Sequence, residues 1–105
     1  MKYALPTDDG KTVGTVFGRA KSFAIYDDAT AAFVILDNEG AASEHGAGTG
    51  AASFLAGKGV GTIVAPELGP KAAAALQAAG MAFTAARAGM SLGDALAGIL
   101  PPGAS

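Results

Sequence analysis

The residues best suited to chemistry stand together at Glu44-His45-Gly46-Ala47-Gly48-Thr49-Gly50. His45 is the only histidine in the chain. In a loop flanked by glycine it is not a packed core residue, and its imidazole is a competent metal ligand. One protein ligand cannot build a stable structural metal site, which takes about four. It could anchor a pre-assembled cluster whose other contacts are backbone N–H groups. Gly46, Gly48 and Gly50 free the backbone to approach such a ligand closely. A helix beginning after them would aim unpaired N–H groups, and the positive end of its dipole, at the same point. Gly46 to Ala51 also matches G-x-G-x-x-A, the dinucleotide fingerprint, although its glycines do not directly follow a strand. The stretch equally fits a flexible loop with a tight helix entry.

Other candidates are more scattered. Arg19, within Phe17-Gly18-Arg19-Ala20, reads either as a solvated loop charge or as a bidentate clamp on an anion. Thr7, Asp8 and Asp9 follow the first apolar run. Adjacent acids can serve metal-dependent phosphodiester chemistry, but acids before Gly10 are also what an Asp-Gly turn uses. A two-metal site would need more carboxylates, and only Glu44 and Glu67 are placed to help. No nucleophile stands beside a base, because there is no cysteine and His45 has no identifiable partner. The expectation is a binding protein and not an enzyme.

The elements that would position these residues follow from pattern. Lys2–Leu5 is a short apolar strand ending at Pro6, and residues 6–21 form a long glycine-containing loop. Ser22–Asp27 and Ala32–Leu36 are two strands of a hairpin joined by the polar turn Asp28–Ala31. Asp37–Gly50 is a second loop, Ala51–Gly57 a short helix, and Gly61–Ala65 a buried strand closed by Pro66. Gly69-Pro70 opens a helix with proline at its first position, and Gly80 closes it. Met81–Ala85 is the last strand. Ser91 and Asp94 cap a final helix running to about Leu100, ended by Pro101. The order β-β-β-α-β-α-β-α predicts an α/β fold: a three-layer α/β/α domain with a mixed five-stranded sheet. Residues 1–100 form the single domain and 101–105 a frayed tail. If the first strand neighbours the fourth, a crevice opens at the carboxyl ends of the parallel strands. It gathers Thr7–Asp9, Pro66–Gly69 and the His45–Gly50 loop, and the 6–21 loop carrying Arg19 can fold over it.

Composition narrows the function classes. Of 105 residues, 26 are alanine and 16 are glycine, which suits close packing of helices on a sheet. With 15% charged residues and a mean hydropathy of +0.38 the chain is globular and not disordered. No apolar run approaches the ~20 residues of a membrane helix, and the start contains no signal peptide, so a cytoplasmic location is expected. The net charge of −2, with scattered cations, argues against nucleic acid. Zero cysteines exclude disulfides and thiolate-bound metal or iron–sulfur centres.

Four segments, in order, resemble the dinitrogenase iron–molybdenum cofactor biosynthesis family of small carrier domains. They are MKYALPTDDG, Val16-Phe17-Gly18-Arg19-Ala20 leading into SFAIYD, Glu44-His45-Gly46-Ala47-Gly48, and GTIVAPELGPKAAAALQAAGM from Gly61 to Met81. The resemblance implies a ribonuclease-H-like fold and non-catalytic, transient binding of an anionic iron–molybdenum–sulfur cluster or another molybdenum-containing sulfide cluster. Cofactor-biosynthesis or nitrogenase proteins would be its partners. Family members more often read H-F-G-R-A where this chain has Val16, so one potential ligand is absent. His45 matches the family's second histidine and is the metal ligand the resemblance carries over, with Thr7, Arg19 and Gly46, Gly48 and Gly50 around the cluster. The alternative is a nucleotide- or phosphate-binding regulatory module using the Gly46–Gly50 loop.

Overall fold

In the computed structural model, residues 1–38 and 47–98 are described. Five strands form one sheet: β1 (Lys2–Thr7), β2 (Ser22–Asp27), β3 (Ala32–Asp37), β4 (Val60–Ala65) and β5 (Ala82–Ala85). Three helices accompany them: α1 (Ala47–Gly57), α2 (Pro70–Ala78) and α3 (Leu92–Ala97). The strand order is β3-β2-β1-β4-β5. β1 pairs antiparallel with β2 and parallel with β4, so it neighbours the fourth strand as expected. The sheet is mixed, and its strand order reverses at β1.

Alternation along the inner strands builds a core on each face, because successive side chains of a strand point to opposite sides. Ala4, Phe23, Ile25 and Ile63 meet Ala51, Leu55, Ala72 and Leu76 of α1 and α2. Their sequence neighbours Leu5, Ala24, Tyr26 and Val64 meet Leu92, Ala95 and Leu96 of α3. The result is the three-layer α/β/α arrangement. Fully buried Ala51 and Ala52 at 0–1% exposure show how alanine lets α1 lie close to the sheet. No described helix is long and apolar enough to cross a membrane.

Several boundaries differ from the pattern-based reading; β4 starts one residue earlier, at Val60, and β5 one residue later, at Ala82. β1 does not stop at Pro6 but continues to Thr7. Pro6 lies beyond the last β1–β4 pair, Ala4↔Ile63, and its carbonyl accepts the Gly14 N–H at 2.7 Å, so a missing N–H disturbs no pair there. α1 begins at Ala47 and not Ala51, which moves Gly48 and Gly50 from a loop into the helix's first turn. Glycine costs about 1 kcal/mol per helical position, and the burial of Ala51, Ala52 and Leu55 in the next turns outweighs it. β3 extends by one residue to Asp37. The helix caps follow the sequence: Gly69 is the N-cap of α2 with Pro70 behind it, and Gly80 adopts φ +74 beyond its end. Ser91 Oγ accepts the Asp94 N–H at 3.1 Å to start α3. α3 ends at Ala97 with Gly98 as its C-cap, short of the end expected near Leu100, and the tail 101–105 lies outside the described residues.

Candidate functional site

The connection from β1 to β2 crosses the carboxyl end of β1, and its first half is closed by its own polar groups. Thr7 is fully buried; its Oγ1 accepts the Gly10 N–H at 2.9 Å and donates to Asp9 Oδ1 at 3.3 Å. Asp9 Oδ1 also accepts the N–H groups of Lys11 and Thr12, each at 2.8 Å, and its Oδ2 accepts the Thr12 hydroxyl at 2.9 Å. Chiefly the Thr12 N–H, then the Lys11 N–H and Thr12 hydroxyl, hold the Asp9 carboxyl down at about 2. Gly10 turns the chain with φ +74, the Asp-Gly turn read from sequence. Asp8 points elsewhere, its Oδ1 accepting the Lys21 N–H at 2.9 Å. The paired acids therefore have separate backbone partners: Asp9 forms the turn, and Asp8 ties the end of the connection, just before β2, back to its start. Among the described residues no three histidines, cysteines or carboxylates are grouped so as to hold a metal ion.

Two apolar anchors fix this connection across the sheet edge. Val13 is buried in the α3-side core and exchanges backbone hydrogen bonds with Met90 and Gly89, each at 2.8 Å. Phe17 is buried in the opposite core, its ring centroid 5.3 Å from that of Phe23. Arg19 stands two residues beyond Phe17, an exposed side chain between buried Gly18 and Ala20. Among the described residues its guanidinium has no ion pair or hydrogen bond.

Arg19 lines a cavity of about 520 Å³ between residues 15–19 and the start of α2. Lys71 and Glu67 line it from the α2 side, and Val16, 51% exposed, lines it beside Phe17. The entrance of α2 is electrostatically positive. Gly69 provides no side-chain cap and the first turn contains no acid, so the Lys71 and Ala72 N–H groups lack intrahelical partners. Two cations and a helix N-terminus against one carboxylate suit an anion.

The sequence-predicted residues are distributed unevenly around this cavity. Arg19 and the Pro66–Gly69 segment are brought together as expected. Thr7 does not line the cavity, because its hydroxyl is buried and engaged within the turn. Gly48 lies among the first α1 residues, whose N–H groups lack intrahelical partners, whereas Gly50 is buried and is the fourth residue of the helix, where intrahelical bonding begins. Glu44, His45 and Gly46 lie outside the described residues. Lys71 was not singled out from sequence, although a cation two residues after a helix-opening glycine is a readable signal.

Comparison with known proteins gives a consistent picture. Residues 1–100 match the family described as dinitrogenase iron–molybdenum cofactor. The apo orange protein from Desulfovibrio gigas superposes with a TM-score of 0.82 at 35% identity, covering 95% of this chain and 90% of that one. A NifB-like protein from Thermotoga, placed in the DUF35 family, superposes at 0.76 with 28% identity, covering 91% and 84%. The uncharacterized protein MJ0580 of Methanocaldococcus jannaschii is 36% identical over 75 residues, 69% of this chain. The match spans 63% of that protein's length, less than two thirds.

Proposed function

The chain belongs to the dinitrogenase iron–molybdenum cofactor family, and on that premise we propose that it is a non-catalytic carrier. Its cargo is an anionic metal–sulfur cluster: the iron–molybdenum cofactor, its precursor, or a related molybdenum-containing sulfide cluster. The observation that carries this reading is the cavity where Arg19 and Lys71 stand beside the uncapped start of α2. An anion whose metals are already ligated by sulfide needs hydrogen-bond donors and cations more than further metal ligands, and these are what the cavity offers. In this reading His45 supplies the one imidazole and the amides of Gly46 and Gly48 add donors, while Gly50, expected from sequence to do the same, is taken up within α1. Thr7 contributes by closing the turn behind Arg19.

Absence of cysteine fits a cargo that must be released to cofactor-biosynthesis or nitrogenase proteins, and a cytoplasmic location fits the same role. Anaerobic titration with isolated iron–molybdenum cofactor, followed by its visible absorbance, tests the reading. Binding is expected in the unaltered chain and weaker binding in His45→Ala and in Arg19→Ala. No binding by the unaltered chain sinks the carrier role, and undiminished binding by His45→Ala removes His45 from the site. Phosphate and nucleotides are the competing anions for these same groups. A ligand at ~100 times its dissociation constant stabilises by ~2.7 kcal/mol, so a thermal-shift screen at millimolar nucleotide separates the two readings.

A further inference from the structure

Arg19 is exposed and sits in a connection without regular structure, yet one side chain from a different element fixes the backbone on both sides of it. Asn38 follows β3. Its Nδ2 donates to the Gly18 carbonyl at 3.0 Å and to the Ala20 carbonyl at 2.9 Å, the residues flanking Arg19. Its own backbone N–H donates to the Lys21 carbonyl at 3.1 Å, which continues the β2–β3 pairing by one residue past Ser22↔Asp37. From the other direction, Asp8 Oδ1 accepts the Lys21 N–H, and Phe17 is buried against Phe23.

We infer that Asn38 is a positioning residue of the cargo site, acting through Arg19; the inference rests on the carrier reading above. The chemistry is specific to an amide. Two carbonyl oxygens converge on one nitrogen, so the group must present two N–H donors from a single atom, and only the NH₂ end of Asn does this at that length. Asp would place an acceptor against two acceptors, and Ala would leave both carbonyls without this partner. The clamp also defines where the guanidinium stands. With Gly18 and Ala20 held, Arg19 departs from a fixed backbone, and less freedom is lost when it closes on an anion. One residue thus ends the hairpin and holds the arginine connection.

The isosteric Asn38→Asp variant tests this by two readouts. Amide hydrogen exchange is the first: the Gly18–Lys21 amides are expected to exchange about tenfold faster while those of β1 and β4 are unchanged. No acceleration, or acceleration spread evenly over the chain, overturns the inference. The second is a double-mutant cycle in binding of isolated iron–molybdenum cofactor. Asn38→Asp is expected to weaken binding about tenfold, and by less than about twofold when Arg19 is already Ala. Equal losses in both backgrounds overturn it, because a residue with a general structural role would not depend on Arg19. If the unaltered chain binds no cofactor, the carrier reading fails by itself, and the exchange experiment alone decides whether Asn38 holds the Arg19 connection.

Discussion

Residues 7–14 and 15–19 belong to one connection over one sheet edge, yet they use their polar groups in opposite ways. In the first half, Thr7 and Asp9 satisfy each other and the backbone of Gly10, Lys11 and Thr12. In the second half, Thr15, Val16 and Arg19 face a cavity, and the backbone there is held from outside by Asn38 and anchored by its own Phe17 ring, buried against Phe23. Side chains that fold a turn onto itself are no longer available to a ligand. A connection tethered from elsewhere can leave its side chains open. The difference separates residues that support the site from residues that form it, within the same thirteen positions.

Substitutions sharpen this division, and the effects on stability fall along the series while those on binding rise. Phe17→Ala empties a buried aromatic position and is expected to cost about 3–5 kcal/mol in denaturant unfolding. A value under about 1 kcal/mol would show that the connection does not depend on this anchor. Thr7→Val keeps the shape but removes the acceptor for the Gly10 N–H; about 1–3 kcal/mol is expected. Asp9→Ala lowers the melting temperature at neutral pH, and its effect depends on pH in a defined sense. The folded carboxyl titrates at about 2, below its ordinary 3.8, so its contribution is complete above pH 3.8 and disappears as pH falls through about 2. Melting curves of the two proteins from pH 6 to pH 2 are therefore expected to converge at the acid end; a constant gap contradicts the assignment.

Arg19→Ala, on the open half, is expected to change stability by less than about 0.5 kcal/mol while weakening cofactor binding. Val16→His is the smallest perturbation of the fold, since Val16 is exposed. It is expected to tighten cofactor binding by adding an imidazole to the cavity wall, and unchanged affinity would show that this wall does not reach the cargo.

Much of the fold was legible in the sequence. The element order, the hairpin, the Gly69-Pro70 start of α2 and the Ser91 cap depend on local conformational preference, which a short segment carries in itself. Two apolar segments show where that stops. Ala32–Leu36 and Gly61–Ala65 read alike, yet Ile63 and Val64 are fully buried whereas Val34 and Ile35 are about half exposed. Strand order alone separates them: β4 lies between β1 and β5, and β3 is an edge. The site was legible in the same partial way. Arg19 and the region before α2 could be placed near one sheet edge, but Lys71 and Asn38 enter through proximity between segments distant in the chain.

The sequence by itself determined the class of fold, the turn at Asp9-Gly10 and the supply of groups: one histidine, no thiolate, glycines near a helix start. These depend on residue type and on neighbours within a few positions. Only the tertiary structure decided which of those groups are available. It closed Thr7 and Asp9 into a turn, moved Gly48 and Gly50 into α1, and set Arg19 and Lys71 around one cavity with Asn38 behind. Hydrogen-bond partners and strand order are relations between distant segments, and the local pattern of a chain does not specify them.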